Sequence, residues 1–144
     1  MSPNQTKETI WAFGHPNILA IHPTTLMITK DVHVSKNGDC IIAVAADKSV
    51  ADFSTEFKEN LRKPNAKLTI TIEAEGLKEK IAASGSPNLI IIHPTDTVIR
   101  KSSYVCNRTL AICANKASND LSREIIEKLK NPKQKVKITF TTEN

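Results

Sequence analysis

The segment TVIRKSSYVCNRTLAICANK carries Arg100, Lys101, Ser102, Arg108, Thr109 and Lys116 within 17 residues. Guanidinium presents planar paired donors, ammonium a point charge and hydroxyls further donors, a set suited to phosphate or carboxylate oxygens. Asp96 lies four residues before Arg100 and adds one carboxylate beside these cations. If Arg100 and Arg108 occupy neighbouring strands and face the same way, an anion fits between them. Strand alternation sends Arg100 and Lys101 to opposite faces, so the four cations do not all share one pocket. The plainer reading of the same residues is a solvated strand edge guarded by Lys and Arg.

A second constellation lies near the start of the chain, where His15, Asp39 and Cys40 offer an imidazole, a carboxylate and a thiol. Cys40 as nucleophile with His15 as base needs ring nitrogen and sulfur within hydrogen-bond reach, and Asp39 would serve as general acid or base. Against that stand two structural readings: a small side chain opening a buried strand for Cys40, and an Asp that hydrogen-bonds its own turn after Asn-Gly for Asp39.

Charge favours the first constellation. The net charge is +5. Residues 1–77 hold 8 Lys and Arg against 9 Asp and Glu, hence −1, and residues 78–144 hold 12 against 6, hence +6. Such asymmetry points to an anionic small molecule or RNA as partner, with mixed surface charge for solubility as the alternative. Aromatics make up 4%, too few for a base-stacking platform, and DNA sequence recognition is not expected. An RNA-backbone mode through the basic tail KLKNPKQKVK survives.

No phosphate-binding glycine loop, dinucleotide fingerprint, G-x-S-x-G or H-E-x-x-H is present, so no cofactor is implied. Three cysteines without a C-x-x-C pair disfavour a disulfide framework or zinc ribbon, and no metal site is expected. The first residues lack a secretory pattern and no apolar run approaches the ~20 residues of a membrane helix. A cytoplasmic protein, not bound to membrane, is the expectation.

The elements that must position these groups come from a repeated text. KETIWAFGHPNILAIHPTT (7–25) matches KEKIAASGSPNLIIIHPTD (78–96) at 11 of 19 positions with an offset of 71. Residues 39–76 match 107–144 at 13 of 38 with an offset of 68. The expectation is one domain spanning 1–144, built from tandem repeats 7–77 and 78–144. In each, strand-like runs (ETIWAFG, ILAIH, LMITK, CIIAVAA in the first) precede one helix and an alternating final strand. Ser49 to Asp52 reads as the helix cap, Phe53, Phe57 and Leu61 as one helical face, and Pro64 and Pro132 as exits. The predicted fold is β-rich α+β, an internally duplicated pseudo-twofold barrel or pair of packed sheets with two flanking helices.

Residues identical in both copies, such as His22 and His93, are best explained by folding. Residues that differ are better site candidates: His15 against Ser86, Thr25 against Asp96, Asp39 against Asn107, Cys40 against Arg108 and Asp47 against Asn115.

Three stretches, GHPNILAIHPTT, NGDCIIAVAADKS and HPTDTVIRKSSYVCNRTLAICANKAS, resemble an archaeal family of conserved hypothetical proteins classed as a domain of unknown function. The family pattern favours G-H-P-N, H-x-T-T, G-D-C-I-I-G-V and I-R-K-S with R-T, and Ala43 stands where that pattern has glycine. The resemblance covers most of the chain and implies an archaeal cytoplasmic protein. It overlaps the residues already singled out at His15, Asp39, Cys40, Arg100, Lys101, Ser102, Arg108 and Lys116, without naming an activity. The leading expectation is therefore binding of an anionic ligand, a phosphorylated metabolite or RNA backbone, through the cations of the second repeat. The rival is a small-molecule enzyme in which His15, Asp39 and Cys40 do the chemistry and the second repeat supplies an Arg/Lys clamp.

Overall fold

The computed structural model describes residues 5–143. In chain order it contains β1 (Thr6–Phe13), β2 (Thr25–Thr29), β3 (Ile41–Ala43), a 3-10 turn (Val50–Asp52), α1 (Thr55–Leu61) and β4 (Lys67–Ala74). The same order follows again: β5 (Leu77–Ser84), β6 (Asp96–Arg100), β7 (Thr109–Ala111), a 3-10 turn (Ser118–Asp120), α2 (Arg123–Leu129) and β8 (Lys135–Glu143). Adding 71 to the bounds of β1 and β2 gives those of β5 and β6; adding 68 to those of β3 and α1 gives β7 and α2.

The strands form two four-stranded sheets, ordered β1-β8-β4-β5 and β3-β2-β6-β7. Every antiparallel pairing inside the two sheets joins a strand of the first half to one of the second. Within a half lie the short parallel pairs β2/β3 and β6/β7 and two single bridges described below. The first sheet thus has no pairing that either half could make alone, and burial is mutual. Alternation along β4 and β8 turns Leu68, Ile70, Ile72, Val136, Ile138 and Phe140 into one core shared with both helices. Each such fully buried side chain contributes about 1.5–3 kcal/mol of transfer free energy.

The fold is α+β and rich in strand, with two helices and packed sheets; no barrel closes. Among the described residues the backbones of the two sheets pair through the single bridges Phe13↔Val44 and Ser84↔Ile112. The next residue in each case, Ala45 or Cys113, has a φ of 53°, so the extended ladder ends after one pair.

That conformation also corrects the extent of CIIAVAA, which is strand only from Ile41 to Ala43. The run ILAIH is not a strand. Ala20 there has a φ of 50° and its counterpart Ile91 one of 56°. The N–H groups of Ile21 and His22 both donate to the Asp39 carbonyl instead of entering a ladder, at 3.0 and 3.2 Å.

The helix start also differs from expectation. The Asp52 carboxylate accepts the Ser49 N–H at 2.9 Å, but this closes the 3-10 turn. The α-helix starts after an extended Phe53, with Ser54 as its own cap accepting from Phe57 N–H at 3.1 Å. Phe53 still packs on Phe57 and Phe140, with centroids 5.2 and 5.5 Å apart. Close approach explains two glycines: a Cβ on Gly14 would run into the Leu129 carbonyl, and one on Gly85 into that of Leu61. The helix of each half ends against the first strand of the other.

Candidate anion-binding face

Strands β2 and β6 lie side by side with Thr25 opposite Arg100, Met27 opposite Val98 and Thr29 opposite Asp96. Leu26, Ile28 and Ile99 enter the core, so by alternation Thr25, Met27, Thr29, Asp96, Val98 and Arg100 share the other face of the sheet, where Thr29, Asp96 and Val98 are buried and Thr25, Met27 and Arg100 half-buried. Arg108, one residue before β7, reaches onto that face. Its Nη1 lies 3.3 Å from Asp96 Oδ2 and 3.5 Å from Met27 Sδ. The Asp96 side chain is 12% exposed and that of Arg108 39%. Asp96 is anchored further by the Thr29 and Thr95 hydroxyls, which donate to Oδ1 at 2.8 and 3.1 Å. The buried carboxylate therefore holds the more exposed guanidinium in place.

Arg100 sits differently. Its Nε donates to Thr109 Oγ1 at 3.0 Å, its Nη2 to Cys106 Sγ at 3.4 Å, and its Cζ lies 5.0 Å from the Tyr104 ring centroid. Among the described residues it has no carboxylate partner, whereas Lys101 is paired with Asp120 at 2.6 Å, Arg108 with Asp96 at 3.3 Å and Lys116 with Glu79 at 2.7 Å. Cys106 answers to this setting. Burial works against its ionisation, but the Arg108 N–H, the Thr109 hydroxyl and the Arg100 guanidinium outweigh it and bring the thiol down to about 7.

Cys40 occupies the place in the first half that Arg108 occupies in the second. Burial pushes its thiol up, the Arg108 charge pulls it down, Asp39 raises it again and Arg100 lowers it, with a net rise. Cys40 thus lies within the field of Arg108 and Arg100, yet it is held as a neutral thiol. Its carbonyl accepts Met27 N–H at 2.9 Å and the Ser118 hydroxyl at 2.6 Å.

The remaining sequence candidates have matched partners across the halves. Lys101–Asp120 repeats Lys30–Asp52, both carboxylates being depressed, first by the lysine and then by a backbone N–H of the 3-10 turn. Lys116–Glu79 repeats Lys48–Glu8, and each glutamate also accepts an N-cap N–H, that of Ser122 or Ser54, at 2.6 and 2.7 Å. Ser102 is exposed and its Oγ accepts the Tyr104 N–H at 3.3 Å.

His15 Nδ1 accepts the Asn17 N–H at 3.0 Å, the same turn closure that Ser86 Oγ provides for Asn88 at 3.1 Å. His15 has no hydrogen bond to Asp39 or Cys40 among the described residues. Asp47 and Asn115 are likewise equivalent, accepting the N–H of Trp11 and of Ala82 at 3.0 Å each. His22 Nδ1 accepts from Thr24 and Thr25, and His93 Nδ1 from Thr95 and Asp96, which places the proton of each neutral ring on Nε2.

Sequence reasoning missed Met27, Thr29, Tyr104 and Cys106. Cys106 carried a signal: at the offset of 68 it faces Gly38, a mismatch of the same kind as Cys40 against Arg108. Among the described residues no three His, Cys, Asp or Glu side chains gather as a metal ion would need, and no helix is long and apolar enough to cross a membrane.

The model of the family described as a domain of unknown function (DUF371) matches residues 10–143. The uncharacterized protein MJ0206 of Methanocaldococcus jannaschii is 53% identical over 125 residues, which is 87% of this chain and 92% of that protein.

Proposed function

This chain belongs to the DUF371 family of domains of unknown function, so the chemistry of its site has to supply the function, and we propose that it binds a small anionic molecule. The ligand carries a phosphate or carboxylate held between Arg100 and Arg108 on that face of β6. The observation that supports this most is the Arg100 guanidinium, which shares a sheet face with Arg108 and has no carboxylate partner among the described residues. Of its five N–H donors, two are engaged, by a hydroxyl and a thiol. The others are available to a bidentate oxyanion. Asp96 positions Arg108 and sets the net charge of the face at one positive unit while Cys106 is protonated.

Lys101 and Lys116 belong to the frame of this proposal rather than to its ligand contacts, since each already neutralises a carboxylate. RNA is the less favoured ligand. Lys128, Lys130 and Lys135 of the basic tail are engaged by Glu75, Glu127 and the Trp11 ring, which breaks up a continuous backbone track. The enzyme reading needs His15, Asp39 and Cys40 as a unit, and the hydrogen bonds of His15 together with the raised Cys40 thiol give it no support.

We also read the chain as a tandem duplication whose shared residues fold and whose diverged residues bind. A reducing cytoplasm suits its three unpaired cysteines.

The test is a thermal-shift and calorimetric panel of inorganic phosphate, sugar phosphates, nucleotides, dicarboxylates and an RNA oligomer. Small phosphates or carboxylates should raise Tm, and Arg100→Gln or Arg108→Gln should weaken binding about 10- to 100-fold, the size of one lost charge-assisted pair. Lys101→Gln should leave it within about twofold, as expected for a charge already neutralised. No response to any compound, or an unchanged response in both arginine variants, would overturn the proposal.

A further inference from the structure

On the outer face of the first sheet, at the β4–β5 end, lies an open groove of about 360 Å³ lined by Lys67, Ala82, Ala83, Ser84, Cys113 and Asn115. Its counterpart at the other end of the sheet, by the offsets 71 and 68, consists of Lys135, Trp11, Ala12, Phe13, Ala45 and Asp47. There the place is taken by aromatic rings. Trp11 and Phe13 rise from β1, and the Trp11 ring lies under Lys135 Nζ at 4.6 Å and Lys137 Nζ at 5.6 Å. The walls match, because Asp47 and Asn115 hold the strand N–H of residues 11 and 82 at the same 3.0 Å. What differs is the filling: Ala82 and Ser84 leave open the space that an indole and a phenyl ring take in the other half.

We propose that this groove is a binding site for a small planar aromatic molecule of indole size. The ring would lie over the outward-facing Ala82 with Lys67 over its face, as Lys135 lies over Trp11. Ser84 and the Asn115 amide supply polar groups at the rim, and the volume is within the range of small-molecule sites. The Cys113 thiol, exposed at the wall, reports on occupancy. This site is separate from the Arg100–Arg108 face and does not depend on it.

Free indole is the probe, and the readout is the iodoacetamide alkylation rate of each cysteine, resolved by peptide mass. Indole should slow Cys113 saturably and leave Cys106 unchanged. Ala82→Trp, which plants in the groove the side chain its counterpart carries, should slow Cys113 without added indole and remove the indole effect. Ser84→Phe serves the same purpose should Ala82→Trp fail to fold. Lys67→Ala should weaken indole binding about two- to fivefold, the size of an exposed cation–π contact. Equal Cys113 rates with and without indole up to its solubility limit would overturn the proposal. So would indole protection that survives a folded Ala82→Trp or Ser84→Phe protein. Loss of a dimer on filling the groove, without indole protection of the native protein, would assign it to self-association instead.

Discussion

The corners where a lysine, a glutamate and a helix cap meet look alike in the two halves, and the faces of β2 and β6 away from the core do not. At the corners, Glu8–Lys48–Ser54 and Glu79–Lys116–Ser122 repeat the same two contacts with nearly the same lengths. On the central face, Thr25, Thr29, Gly38 and Cys40 occupy the places that Asp96, Arg100, Cys106 and Arg108 take in the other half. Equivalent backbone therefore carries equivalent chemistry only where the contact caps or pairs something the fold needs. Where the side chain lies on the face of the sheet turned away from the shared core, its type differs between the halves, and there the charge accumulates.

Substitution at the matched close contacts should have the largest effect. Gly14→Ala and Gly85→Ala each push a Cβ into a helix-end carbonyl that is backbone and cannot rotate away. Each should cost about 1–3 kcal/mol in chemical denaturation, with similar losses for the pair. A large loss at one and none at the other would break the equivalence of the halves.

Glu8→Gln and Glu79→Gln should each cost about 1 kcal/mol at neutral pH, from the weakened ion pair and N-cap bond. Glu79 sharpens the comparison through acid. Burial raises its carboxyl, but Lys116 and the Ser122 N–H outweigh this and leave it below the usual range. Its contribution is complete above the unfolded glutamate value and disappears as pH falls through the lower folded value. Acid titration of stability should therefore be shallower in Glu79→Gln than in the native protein.

The mildest effect is expected on stability and the clearest on reactivity at the unmatched face. Alkylation of Cys106 should rise with a midpoint at about pH 7. That of Cys40 should rise above the ordinary thiol range, because burial governs it. Arg100→Gln should move the Cys106 midpoint upward, since it removes a donor and a charge from Sγ. Coincident midpoints for the two cysteines would contradict the electrostatics of the face.

Much of the frame was legible because it depends on periodicity. The alternation of KLTITIEAEG and KVKITFTTEN marked Leu68, Ile70, Ile72, Val136, Ile138 and Phe140 as core, and these are buried. The helical spacing of Phe57 and Leu61 was legible for the same reason. ILAIH misled because a short apolar run looks alike as strand or as buried loop. What decides is the left-handed Ala20 and a carbonyl at Asp39, 19 residues away, that takes two N–H groups. The capping motif at Ser49 was real but closed a 3-10 turn, since Ser54 offered the α-helix a second cap.

By itself the sequence determined the alternating strands, the helix faces, the internal likeness of 7–25 to 78–96 and the unequal division of charge, all of which depend on side-chain type and spacing along the chain. Only the tertiary structure decided which charges are already neutralised, that Arg100 faces a thiol and a hydroxyl rather than a carboxylate, and that a groove stands open beside Lys67. Those facts depend on partners 6 to 48 positions distant, brought together within the second half around the β6/β7 pairing and, for the groove, by the β4/β5 pairing between the halves.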